Sequence, residues 1–130
     1  MSVTFTWDDP SRTQLRFIFD AMWQTEDLTH TIHLAKQFIE EQDVVVDVII
    51  DMTLCESMPS NLSRLRDHLK LLDNQRVGVM VFITQNNYVQ KVMQLLNQLL
   101  RQYFTMYFTD SLEDAHRIIQ RATITRESRL

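Results

Sequence analysis

The chain has 130 residues, of which 45% are hydrophobic and 23% charged, as in an ordinary single globular domain. Its one glycine excludes glycine-rich phosphate loops, and its one cysteine excludes an internal disulfide and a cysteine-based zinc cluster. The formal net charge of -4 argues against nonspecific nucleic-acid binding. No apolar run approaches the ~18 residues that a membrane span requires. We therefore expect a cytoplasmic protein with no nucleic-acid partner and no membrane span.

The charge is unevenly distributed along the chain. Residues 1–60 contain three Lys or Arg and eleven Asp or Glu, a net of -8, whereas residues 61–130 contain ten and six, a net of +4. The simplest interpretation is that solvated faces balance one another in the folded domain. The alternative is a two-sided molecule that docks a charged partner or a second copy of itself.

The first part of the chain predicts a β-hairpin followed by a helix. Apolar and polar residues alternate over 3–7 and 15–19, which is typical of strands with one buried face, and the turn residues 8–11 (DDPS) separate them. Acidic residues at 25–28 (TEDL) favour a helix start, because they complement the positive end of the helix dipole. We expect Thr25 to cap this helix, which should run to about Gln42.

Two apolar, β-branched runs then predict neighbouring parallel strands. The first, 44–52 (VVVDVIIDM), stops at Asp51, and the second spans 77–83. Residues 59–61 (PSN) between them start a crossover helix. Residues 86–87 (NN) precede a third helix, a last strand spans 103–108, and a capping-box pattern at 110–113 (DSLE) starts the final helix.

The resulting fold class is α/β: a single-layer, mixed, mainly parallel sheet with crossover helices, in the order β-β-α-β-α-β-α-β-α. We expect one domain over residues 1–122, with a frayed tail at 123–130 because the apolar periodicity is lost from Thr123. The third helix is apolar over a wide arc and contains no acid, so it is either deeply buried or partly covered by a partner.

This order of elements resembles the STAS domain, the fold of bacterial anti-sigma-factor antagonists, and its SpoIIAA-like relatives. The resemblance covers residues 13–121 and rests on the strand end 48–51 (VIID) and on 108–115 (FTDSLEDA), which looks like the family's terminal strand, turn and helix. Segment 23–28 (WQTEDL) is similar to a divergent SpoIIAA-like branch. The resemblance implies a bacterial, non-enzymatic regulatory domain that binds a protein partner or forms a homodimer, with no cofactor.

The resemblance also implies a phosphoacceptor. In the antagonists a strand ending in Asp or Asn leads to Asp-Ser-Ser-Gly at a helix N-terminus, where a partner kinase phosphorylates the first Ser and breaks the complex. Counting from Asp51, Ser60 falls at the position of that first Ser. The residues around it differ from the family's motif, because segment 59–62 reads PSNL in place of Asp-Ser-Ser-Gly. This suggests a degenerate phospho-serine switch, and the bottom-up alternative is that Ser60 is a helix cap. The expected interaction surface comprises Thr53, Glu56, Ser57, Ser60, Asn61 and Arg64.

Three acids suggest a rival function. Asp8 and Asp9 follow the first strand and Asp51 ends a later one, as in the Mg²⁺ site of a response-regulator receiver, and hard cations require such oxygen ligands. A strand rather than a helix follows the acidic pair, however, and Thr109-Asp110 stands where a receiver has Lys-Pro. The alternative is turn chemistry for Asp8 and Asp9, and a carboxylate that accepts hydrogen bonds from loop amides for Asp51.

No catalytic or metal-binding constellation is apparent, so we predict that the protein is not an enzyme. His30 and His33 share a helix face, but no further ligand accompanies them, and we expect both to face solvent. His68 and His116 stand alone. Cys55 lies near a helix N-terminus that could lower its pKa, yet without a nearby histidine we expect a half-buried structural residue rather than a nucleophile.

Several methionine and aromatic side chains allow a further alternative function. They should lie mostly in the core, but they could also line a cleft between the helices and the sheet. They are Met80, Met93, Met106, Phe104 and Tyr107. The alternative function is therefore a carrier or sensor of a small apolar ligand.

Overall fold

The fold is described by a computed structural model over residues 3–73 and 76–128. The elements are β1 (Val3–Trp7), β2 (Gln14–Phe19), α1 (Thr25–Glu40), β3 (Val46–Asp51), α2 (Leu62–Leu69), β4 (Val77–Ile83), α3 (Asn87–Leu100), β5 (Thr105–Thr109) and α4 (Leu112–Glu127). One sheet has the order β1-β2-β3-β4-β5. β1 runs antiparallel to β2 and all other neighbours are parallel. The predicted fold class and element order are confirmed.

The central strands are buried on both faces, which explains their continuous apolar sequence. On one face, Val48, Ile50 and Phe82 join the larger core beneath α1, α2 and α3. On the other face, Ile49 and Val81 form a smaller core beneath α4. Because successive strand residues point to opposite faces, one apolar run serves both cores.

A β-bulge in β4 surrounds the only glycine of the chain. Val46 pairs with Val77 but Val48 pairs with Met80, so β4 carries one extra residue opposite Asp47. The buried Asp47 carboxylate accepts the Val79 amide at 2.9 Å. A Cβ at Gly78 would lie 2.2 Å from Asp47 Oδ1, so glycine is required here by close approach.

The caps of α1, α2 and α4 each lie one residue away from an expected position. Asn61 rather than Ser60 caps α2, since its side chain accepts the Arg64 amide at 3.0 Å. Ser111 rather than Asp110 caps α4 and accepts the Asp114 amide at 3.1 Å. For α1 the cap position is Gln24, so the assignment to Thr25 is wrong.

The final helix continues past its expected end. We expected structure to fray from Thr123, but α4 extends to Glu127, because Arg126 reaches across the sheet to Asp47 at 2.7 Å. The last two residues of the expected tail lie outside the described residues. Within the described part of the chain, no helix is long and apolar enough to cross a membrane.

Candidate functional site

The loop after β3 begins with a turn built on Asp51. Asp51 Oδ1 accepts the Thr53 amide at 3.0 Å and the Thr53 hydroxyl at 2.6 Å. This confirms the interpretation of Asp51 as an acceptor for loop amides. The chain is therefore directed sharply away from the sheet at the carboxyl end of its central strand.

Trp23 joins two loops at this end of the sheet. Its indole N–H donates to the Ser57 carbonyl at 3.0 Å and lies 3.2 Å from Cys55 Sγ. The Glu56 amide donates to the Ala21 carbonyl at 3.1 Å, and the Trp23 ring packs edge-on against Phe19. The segments 20–24 and 52–58 are thus held as one unit.

Cys55 is a structural thiol. It is buried and donates to the Ser57 carbonyl at 3.1 Å. Burial raises the pKa of the thiol, and the hydrogen bond from Trp23 offsets this effect only in part. The expectation that a helix N-terminus could lower this pKa is wrong, because desolvation dominates, and the side chain is more deeply buried than expected.

Two large apolar side chains project from the joined loops. Met22 is 71% exposed and Leu54 is 58% exposed, and Met22 Sδ lies 3.6 Å from the Ser57 hydroxyl. The two side chains lie on loops that hydrogen bonds hold together, so a partner could contact both at once. We call this the Met22–Leu54 surface, comprising Met22, Thr53, Leu54, Glu56, Ser57 and Ser60.

Most of the residues expected on the interaction surface are accessible. Thr53, Glu56, Ser60, Asn61 and Arg64 are exposed, and Ser57 is half-buried. Arg64 forms an exposed ion pair at 3.4 Å with Glu26, which contributes little to stability. Sequence reasoning missed Met22 and Leu54, whose only signal is an apolar residue placed in a loop.

The surroundings of this surface are mainly acidic. Asp20, Glu26 and Glu56 are exposed, and Arg64 is the basic residue beside them. Because Arg64 is already paired with Glu26, the local charge is negative.

The acids considered as a magnesium site are bound by protein groups. Arg16 Nε contacts Asp8 Oδ1 at 3.0 Å, and Arg16 Nη1 contacts Asp51 Oδ2 at 3.1 Å. The Asp9 carboxylate accepts the amides of Thr13 and Gln14, each at 2.9 Å, which confirms turn chemistry for Asp9. Among residues 3–73 and 76–128, no group of three or more His, Cys, Asp or Glu could hold a metal ion.

His116 extends the cluster from α4. Its Nδ1 lies 2.8 Å from Gln14 Oε1, and its Nε2 lies 3.6 Å from Asp8 Oδ2. Asp8 Oδ2 is buried and makes no hydrogen bond with any group in the described part of the chain. This cluster ties α4 to the hairpin turn, and sequence reasoning missed it because its members are distant in the chain.

The other histidines make no site. His30 and His33 are exposed, as predicted. His68 Nδ1 lies 2.8 Å from the Thr29 hydroxyl and so connects α2 to α1.

Comparison with known proteins identifies no relative. No family model matches the chain, no curated protein matches it, and no solved structure matches it.

Proposed function

We propose that this protein is a non-enzymatic interaction domain that binds a protein partner through the Met22–Leu54 surface. The observation that carries the proposal is the exposure of Met22 and Leu54 on loops that Trp23 fixes in place. Because the backbones of these loops are already held in place, binding costs little entropy for ordering the loops, which favours a contact surface. The resemblance to STAS domains supports the same class of function.

The charge of the surface defines the partner's chemistry. Asp20 and Glu56 are exposed acids on the two joined loops, and Glu26 nearby in the chain is paired with Arg64. A complementary partner presents an apolar patch flanked by Lys or Arg, because opposite charges accelerate association and align the two surfaces. Binding should therefore weaken as ionic strength rises.

Ser60 is suited to modulate this contact. It is exposed and precedes the cap of α2, so phosphorylation would add charge beside Glu56 without removing the hydrogen bond that Asn61 makes. A phosphate here would increase the negative charge and attract Arg64 away from Glu26. We propose that phosphorylation of Ser60 alters partner binding, and a Ser60→Asp variant that retains every partner interaction would rule this out.

Site-specific photo-crosslinking tests the location of the surface. A photoreactive amino acid at position 54 should give one defined adduct in cells that express the protein. The same group at Gln37, an exposed residue in the last turn of α1, serves as the matched control. Equal adducts from both positions, or none from position 54, would contradict the proposal.

A second candidate function, homodimer formation, is favoured by α3. Tyr88, Val92, Leu95 and Leu99 recur at helical spacing, and Tyr88 and Leu95 are 56% and 54% exposed. This stripe is separate from the buried stripe of the same helix, and the helix contains no acid. The four stripe residues are uncharged, and Lys91 lies beside Tyr88 and Leu95, so a second copy fits where the two Lys91 side chains stay at the edge of the contact.

Sedimentation analysis tests homodimer formation. The wild type should associate with rising concentration, whereas Leu95→Gln with Leu99→Gln should remain monomeric. A Met22→Ser, Leu54→Ser variant should associate as the wild type does, since its changes lie on a different surface. A wild type that stays monomeric at high concentration would exclude this candidate.

A further inference from the structure

A groove lies at the opposite end of the strands from the Met22–Leu54 surface. It has a volume of about 790 Å³ and lies between α4 and the amino-terminal halves of β4 and β5. Small-molecule sites in proteins commonly have volumes of about 300–1,000 Å³. The groove is thus large enough for a small organic molecule.

The groove combines an apolar floor with hydrogen-bond donors. Val79 of β4 and Ile118 and Ala122 of α4 supply apolar contact. Gly78 contributes only backbone to the lining, and Ala122 contributes a small side chain. Three hydroxyl groups also line the groove, from Thr105, Tyr107 and Thr125.

The charge of the lining residues selects the sign of the ligand. Arg121 and Arg126 line the groove, and none of the lining residues among 3–73 and 76–128 is Asp or Glu. Arg126 is neutralised by Asp47 beneath it, at 2.7 Å. Arg121 is exposed and forms no ion pair or side-chain hydrogen bond with any residue in 3–73 or 76–128. One guanidinium is therefore available at the groove without a protein counter-ion.

We propose that this groove binds a small organic anion that has an apolar body. The anionic group pairs with Arg121, which can offer two parallel N–H donors to a carboxylate. The apolar body lies over Val79, Ile118 and Ala122. This site does not depend on the proposed function, because it shares no residue with the Met22–Leu54 surface.

An NMR titration with 4-phenylbutyrate tests the site, with the uncharged 4-phenylbutanol as the matched ligand. Saturable amide shifts should cluster at Gly78, Val79, Thr105 and Ala122 with the carboxylate. The alcohol should bind about tenfold more weakly, because it cannot form the charged hydrogen bonds.

Variants of the exposed arginines complete the test. Arg121→Gln should weaken binding of 4-phenylbutyrate by about tenfold, and Arg121→Lys should weaken it less, since the charge is retained. Arg101→Gln, which removes an exposed arginine outside the groove, should have no effect. Circular dichroism establishes that each variant is folded.

Three results would overturn the proposal. They are an absence of saturable shifts in the groove, equal affinity for the acid and the alcohol, and equal loss of affinity in Arg121→Gln and Arg101→Gln. Shifts confined to the exposed stripe of α3 would show that the probe binds another apolar surface instead.

Discussion

The Arg126 guanidinium lies 2.7 Å from the buried Asp47 carboxylate, although 79 residues separate the two in sequence. Asp47 Oδ1 also accepts the Val79 amide that the bulge in β4 frees from the ladder. One carboxylate thus accepts a backbone amide at the β-bulge and also binds the last turn of α4 through Arg126. The same ion pair holds one wall of the groove beside Arg121.

Removing the Arg126 side chain should lower the free energy of unfolding. Arg126→Gln leaves the Asp47 charge buried without its partner, and we expect the free energy of unfolding to fall by about 2–3 kcal/mol, less than for a fully buried pair because Arg126 is partly exposed. Arg117→Gln, which removes an exposed pair with Glu113, should cost less than about 1 kcal/mol. Urea denaturation measures both, and equal losses would show that the Asp47–Arg126 pair anchors nothing.

Gly78→Ala should destabilise the same region through steric conflict. The added methyl would lie 2.2 Å from Asp47 Oδ1 and 2.5 Å from an Arg126 nitrogen, so the ion pair must separate. We expect a loss of about 2–3 kcal/mol. In a double-mutant cycle with Asp47→Ala, the combined loss should be smaller than the sum of the single losses. Additive losses would contradict a clash with Asp47.

The two residues at the start of α2 should differ in their contribution to stability. Asn61→Ala removes the acceptor for the Arg64 amide and should cost about 1 kcal/mol. Ser60→Ala changes an exposed position before the cap and should alter stability by no more than about 0.5 kcal/mol. Thermal denaturation of both variants decides the matter, and a larger effect at Ser60 would assign the cap to that residue.

Cys55 should react slowly with thiol reagents, because it is buried. Ionisation of its thiol at alkaline pH should lower the stability of the fold. Burial raises the pKa of the thiol above its unfolded value, so the folded state retains a proton that the unfolded state loses. Its contribution to stability is therefore complete below the unfolded pKa, about 8.5, and is lost as pH rises past it. Cys55→Ser should show a weaker loss over that pH range, and an identical pH profile would contradict this assignment.

The fold was predictable because hydrophobic periodicity reports which strand faces are buried. The continuous apolar runs of β3 and β4 predicted the parallel strands at the centre of the sheet. The alternation of apolar and polar residues in β1 and β2 predicted the antiparallel hairpin. The caps were misplaced by one residue because Ser60 and Asn61, like Asp110 and Ser111, are both good capping residues. Composition alone cannot tell which one adopts the extended backbone.

The site was only partly predictable. The sequence places the polar residues of the loop after Asp51 in one segment, and their role in binding stays a prediction. Met22 belongs to a different loop and meets Ser57 only in the folded chain. The end of α4 was missed for the same reason, since the partner of Arg126 lies in β3. Local sequence patterns do not contain such long-range pairs.

The most direct test of the proposed function is a binding measurement with the purified protein that crosslinks to position 54. We predict that Met22→Ser with Leu54→Ser raises the dissociation constant by at least about tenfold, as loss of a contact centre should. Leu95→Gln, on the exposed stripe of α3, should leave it unchanged. An unchanged dissociation constant for the Met22 and Leu54 variant would contradict the account.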